Sequence, residues 1–139
     1  MENSKSVAVL GGGSFGTVLA NLAASNGYNV SLWVRDSEQA LRINSEGANT
    51  TYHPELKLSK NIIASDNLKE VLNNKSIIFI ATPSIVFEQI VIRVSDYIDE
   101  KPYLVSCTKG ILDDPFRPLS DIISSKLNNT IGVLSGPNL

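Results

Sequence analysis

The stretch Gly11-Gly12-Gly13-Ser14-Phe15-Gly16 decides how the chain folds, because of what stands on either side of it. Before it, Val7, Ala8, Val9 and Leu10 form an apolar run too short for a helical repeat and stopped by glycine, which predicts a buried strand from Ser6 to Gly11. After it, Phe15, Val18, Leu19, Leu22 and Ala23 recur at three- and four-residue spacing up to Asn26. Gly27 then stands where a helix ends in a left-handed residue. The six residues are therefore a glycine loop joining a strand to a helix.

Outward from that loop the same alternation continues. Asn29 to Val34 alternates polar and apolar residues and predicts a strand. Asp36 or Ser37 caps a short helix through Leu41 and Ile43 that ends near Gly47. Ala48 to Asn61 is polar, carries Pro54 and reads as a long irregular loop of the kind that often has a function. Ile62 to Ser65 is a brief strand, Ser65 and Asp66 open a helix through Leu72, and Ile77 to Ala81 is an apolar strand. A helix from Ile85 to Ile98, a strand from Tyr103 to Ser106, a helix from Leu119 to Leu127 and a strand from Thr130 to Leu134 complete the pattern. Six apolar strands separated by crossovers predict an α/β fold with a doubly wound parallel sheet, one domain filling residues 1–139.

Composition removes several function classes. The formal net charge is only -2, so the dense basic surface that nucleic acid demands is missing and no nucleic-acid partner is expected. Apolar runs fall far short of the roughly 18 residues of a membrane span, and the polar start followed by Val7 to Leu10 does not form a signal-peptide core. Cys107 is the single cysteine, which precludes an intrachain disulfide and fits a reducing, cytoplasmic setting. His53, the sole histidine, lies beside Pro54 in a polar loop, and neither a metal site nor acid-base chemistry is expected of it.

The loop satisfies G-x-G-x-x-G at the position where that pattern has a mechanism. Gly11 permits the tight turn, Gly13 leaves room for a pyrophosphate, and Gly16 lets the helix pack on the strand. Amides near Ser14 and Phe15, backed by the helix dipole, can hold two phosphates without a lysine. A P-loop is excluded because no Gly-Lys-Ser or Gly-Lys-Thr follows. The expected ligand is a dinucleotide, NADPH or NADH. At the end of the second strand Asp36 can accept from a ribose hydroxyl, as NAD requires, whereas Arg35 can pair with the 2′-phosphate of NADP; residue chemistry alone leaves both open.

Four segments occur in an order that resembles the bacterial-type NAD(P)H-dependent glycerol-3-phosphate dehydrogenases. They are Gly11 to Ala20, Leu32-Trp33-Val34-Arg35-Asp36, Ser106-Cys107-Thr108-Lys109-Gly110-Ile111, and Leu134-Ser135-Gly136-Pro137-Asn138. The resemblance runs from Ser6 to Leu139, and its Lys-Gly and Ser-Gly-Pro elements are more specific than the glycine loop. It implies that Ser14, Phe15, Arg35, Tyr52 and Lys109 touch the dinucleotide, with Arg35 tipping the preference to NADPH. It also implies that Lys109, Gly136 and Asn138 face the substrate, dihydroxyacetone phosphate or glycerol 3-phosphate. Phe15 and Asn138 depart from the tryptophan and serine commoner in that family. Independently, a lysine after a parallel strand and beside a glycine stands where such sheets bind ligands and can polarise a ketone oxygen.

Thr82-Pro83-Ser84 reads both as trough lining and as an ordinary turn and helix cap. The resemblance further implies a larger parent, homodimeric assembly of it being left open, whose helical second domain supplies the proton-donating lysine and the arginine for substrate phosphate. That domain is absent from this chain, which ends at Leu139. The parent would make glycerol 3-phosphate for phospholipid synthesis, and the chain alone would bind cofactor yet turn over poorly. Two alternatives share the fold: a regulatory NAD(P)-sensing module, and the cofactor domain of a related enzyme such as ketopantoate reductase or a nucleotide-sugar dehydrogenase.

Overall fold

A computed structural model describes residues 5–99, 101–108, 111–113 and 116–134. The strands are β1 (Ser6–Leu10), β2 (Asn29–Trp33), β3 (Ile62–Ser65), β4 (Ile77–Ile80), β5 (Tyr103–Ser106), β6 (Ile111–Asp113), β7 (Phe116–Pro118) and β8 (Ile131–Val133). The helices are α1 (Ser14–Ser25), α2 (Ser37–Glu46), α3 (Leu68–Leu72), α4 (Ser84–Tyr97) and α5 (Leu119–Lys126). Six strands form one parallel sheet in the order β3-β2-β1-β4-β5-β8, the doubly wound arrangement that the alternating pattern predicts.

Burial on both faces explains why β1 reads as a continuous apolar run. Val7 and Val9 point into one core with Val30, Leu32, Ala20 and Ala24, whereas Ala8 and Leu10 point into the other with Ile78, Ile80, Phe87 and Leu104. Helices α1 and α2 cover the first face, and α3, α4 and α5 cover the second. Chain order reverses between β1 and β4, whose neighbours on either side were formed by opposite excursions of the chain. In open parallel sheets the crevice at the carboxyl ends of such strands receives ligands.

Local chemistry sets the helix boundaries. Asp36 caps α2, its Oδ1 accepting from the Glu38 amide at 3.0 Å. The cap of α3 is Asn67, rather than the expected Ser65 or Asp66: its side chain accepts from the Glu70 amide, while the Ser65 hydroxyl accepts from the Asn67 amide. Pro83 stands at the N-cap of α4 with no side-chain bond, so Ser84 begins that helix and does not cap it. The antiparallel pair β6-β7, inserted between β5 and α5, is an element the strand pattern did not announce.

Helix α1 turns a different face to the sheet than its large residues suggest. Gly16, Thr17, Leu19, Ala20 and Ala24 are buried, whereas Val18 and Leu22 are 42% and 60% exposed. Small residues four apart let the helix axis lie close to β1, where larger side chains would hold it off.

Candidate functional site: a trough at the glycine loop

The loop between β1 and α1 is wedged into the sheet's carboxyl edge. Gly11 has φ +124°, a left-handed conformation that L side chains rarely adopt, and a Cβ there would stand 2.5 Å from the Ala81 carbonyl oxygen. A Cβ on Gly16 would collide with the Gly11 carbonyl oxygen, and one on Gly12 with Val34 Cγ1. Gly13 differs from these three. Its backbone is extended, at φ −81° and ψ −166°, and among the described residues nothing lies within 4 Å of a Cβ built on it. Three glycines of the loop are therefore required by packing, and the fourth by no atom of the described residues.

Beyond Gly13 opens a trough of about 860 Å3, a volume typical of cofactor sites. Gly11, Gly13, Ser14, Phe15, Gly16, Arg35 and Tyr52 all line it, so these seven expected residues converge on one concavity. Lys109, Gly136 and Asn138, with Gly110, lie outside the described residues. The first intrahelical bond at the loop runs from the Thr17 amide to the Gly13 carbonyl, at 3.1 Å. The amides of Ser14, Phe15 and Gly16 precede it and are oriented by the helix toward its N-terminal end, together with the positive end of the dipole.

The walls suit an anion with one apolar portion. Among the described charged side chains along the trough, Arg35, Arg42 and Arg93 stand against Asp36, a positive local balance on a chain of net charge -2. One oxygen of Asp36 is already occupied by the α2 cap. Arg93 lies over the Trp33 ring, 5.5 Å from its centroid, and the indole N–H donates to the Asp66 carbonyl at 3.0 Å. At the end of β4, beside the trough wall, the Thr82 hydroxyl is buried and has no hydrogen-bond partner among the described residues. The neighbouring Thr108 hydroxyl lies 2.7 Å from the Thr82 carbonyl and 3.1 Å from that of Ile80. Taken together, unpaired amides, three arginines and an orphan hydroxyl fit the phosphates, ribose and adenine of a dinucleotide.

Several contributors carry no signal in the sequence. Asn49, 1% exposed, donates from Nδ2 to the Gly12 carbonyl at 2.9 Å and to the Thr17 hydroxyl at 2.8 Å. Gln39 Nε2 donates to the same carbonyl at 2.9 Å. His53 Nε2 lies 3.0 Å from both Ser14 Oγ and the Ser14 carbonyl oxygen. The long loop is thus part of the glycine loop's support, and only its length hinted at this. Among the described residues no cluster of His, Cys, Asp and Glu could hold a metal ion, and no helix is long and apolar enough to cross a membrane.

Cys107 is buried at the trough wall, and the loss of surrounding water pushes its thiol up to about 12. At pH 8 it stays protonated, so it is a wall residue and no nucleophile. Mass-spectrometric time courses with N-ethylmaleimide should show native protein labelling at least about a hundredfold more slowly than urea-unfolded protein. Prompt labelling of the native chain would contradict this burial.

Comparison with known proteins sets this geometry in a family. A curated glycerol-3-phosphate dehydrogenase [NAD(P)+] of Alcanivorax borkumensis is 43% identical over 139 residues, covering 99% of this chain and 40% of that protein. The crystal structure of glycerol-3-phosphate dehydrogenase from Coxiella burnetii superposes with a TM-score of 0.90 at 32% identity, over 98% of this chain and 42% of that one. The chain therefore spans about 40% of the length of such relatives. A ketopantoate reductase from Ralstonia eutropha has a TM-score of 0.71 over 92% of this chain and 40% of that one, but at 14% identity it shares the fold alone. The family model described as the N-terminus of NAD-dependent glycerol-3-phosphate dehydrogenase matches residues 6–139, and the chain belongs to that family.

Proposed function

We propose that this chain is the cofactor-binding part of an enzyme that interconverts dihydroxyacetone phosphate and glycerol 3-phosphate, and that it prefers NADPH over NADH. The observation that carries the reading is the open space at Gly13, set against unpaired α1 amides, in a chain of this family. A dinucleotide held there would supply the hydride chemistry of the reaction. Of the chain's own residues, the loop amides of Ser14, Phe15 and Gly16 would hold the pyrophosphate, and the ends of β4 and β5 would border the rest of the cofactor. Lys109, which follows β5 in sequence, lies against cofactor and substrate in this reading, and Gly136 and Asn138 lie on the substrate side. The rest of the parent supplies the proton donor and the grip on substrate phosphate, and the product serves phospholipid synthesis in the cytoplasm.

Preference for NADPH rests on Arg35, with Arg42 and Arg93 along the same trough, and on an Asp36 carboxylate partly committed to its helix. A guanidinium can form two parallel bonds to a 2′-phosphate, and such charge-assisted contacts contribute about 1.5 to 3 kcal/mol.

Arg35→Ala should therefore weaken NADPH roughly ten- to a hundredfold, with NADH changed by less than about threefold. Calorimetric titration of both cofactors checks this, and equal losses for the two would refute 2′-phosphate recognition. In the full-length parent, Lys109→Ala should lower kcat/KM for dihydroxyacetone phosphate by about tenfold for every 1.4 kcal/mol of lost transition-state stabilisation. The same change should barely alter NADPH affinity, and wild-type kinetics in that variant would return Lys109 to an ordinary surface residue.

A further inference from the structure

We propose that His53 is a positioning residue of the dinucleotide site, latching the loop of residues 48–61 onto Ser14 so that the serine hydroxyl presents its proton to the pyrophosphate. The proposal rests on the dinucleotide reading of the trough and adds to it a residue that touches neither cofactor nor substrate.

The loop leaves α2 at Gly47 and is tied at its root by buried Asn49, which holds Gly12 and Thr17. The backbone amides of Tyr52 and His53 both donate to the Asn49 carbonyl, at 3.2 and 2.8 Å. That turn sends the two side chains to different tasks. Tyr52, 49% exposed, reaches the trough wall, while half-buried His53 reaches back to the first residue of α1.

The chemistry of the His53 contact sets its direction. A carbonyl oxygen can only accept, so the bond to the Ser14 carbonyl at 3.0 Å requires a proton on Nε2. With that proton present, Nε2 has no lone pair to offer, and Ser14 Oγ, also at 3.0 Å, must accept as well. The hydroxyl's own hydrogen is then unspent. In the opposite tautomer the hydroxyl would give its hydrogen to Nε2, and the Ser14 carbonyl would face a lone pair. One imidazole thus fixes the serine oxygen at the helix start, keeps its hydrogen for a phosphate oxygen, and holds Tyr52 in place.

The test uses two features of this sequence, its single histidine and its single tryptophan, Trp33, which lies on the trough wall. Long-range proton-nitrogen NMR of His53 in the free protein should show a protonated Nε2 and a bare Nδ1, and its signals should shift on adding NADPH. NADPH dissociation constants, read from quenching of Trp33 fluorescence, should rise about three- to tenfold in His53→Ala, the scale of one hydrogen bond. His53→Gln, whose amide reaches a similar distance, should stay within about twofold of the unsubstituted protein. His53→Asn, which is too short, should behave like His53→Ala. Ser14→Ala combined with His53→Ala should weaken binding by less than the product of the two single losses, because the two share the Ser14 hydroxyl interaction. The latch is overturned if Nδ1 carries the proton, if His53→Ala binds as well as the unsubstituted protein, or if His53→Gln is as poor as His53→Ala. Should His53→Ala fail to fold, the tautomer measurement and His53→Gln still decide. If the unsubstituted chain does not bind NADPH at all, the dinucleotide reading falls and this proposal with it.

Discussion

The contact between the Gly16 Cα and the Gly11 carbonyl oxygen is the constraint from which the site follows. Without a side chain at position 16, α1 settles onto β1 along Gly16, Ala20 and Ala24, and its N-terminus comes to rest at the carboxyl edge of the sheet. Gly11 in turn takes a conformation closed to other residues and lies against Ala81 at the end of β4. The helix start is thereby fixed between the two strands where chain order reverses, so unpaired amides and a strand-end crevice meet in one place. A bulkier residue at either glycine would move the helix and, with it, every amide available to an anion.

A second layer holds that loop from outside. The Gly12 carbonyl accepts from both Gln39 on α2 and Asn49 in the long loop. The Thr17 hydroxyl donates to the Gly13 carbonyl at 2.7 Å and accepts from Asn49. Satisfied in this way, buried Thr17 and Asn49 rigidify the backbone they bind, because breaking one bond leaves a buried polar group unpaired. The trough is accordingly preformed, and its three arginines supply long-range attraction for an anionic ligand.

How much of this could be read from the residues depended on whether the cause was local. The strand β1, the glycine loop and the stop at Gly27 are all signalled within a few residues, and the parallel sheet follows from apolar strands separated by helical periods. The face of α1 was hidden because its large residues, Val18 and Leu22, follow the helical period as well as its small ones do, and only the close approach at Gly16 selects the small face. The pair β6-β7 escaped notice because strands of three residues are too short to show a period. The cap at Asn67 follows two other residues that cap equally well. Asn49 and His53 act across the fold on residues more than thirty positions away, and polar residues in a polar loop give no sign of this.

In the reading proposed above, the space beside Gly13 belongs to a dinucleotide's pyrophosphate. Because Gly13 has an extended backbone and no atom of the described residues within 4 Å of a Cβ, Gly13→Val separates binding from folding in a way that substitution of Gly11, Gly12 or Gly16 does not. Titrating that variant with NADPH by calorimetry, alongside its thermal melt, is the most direct measurement. The melting temperature should lie within a few degrees of that of the unsubstituted protein, and affinity should fall by at least about a hundredfold. A folded Gly13→Val protein that binds NADPH as tightly as the unsubstituted chain would contradict that reading.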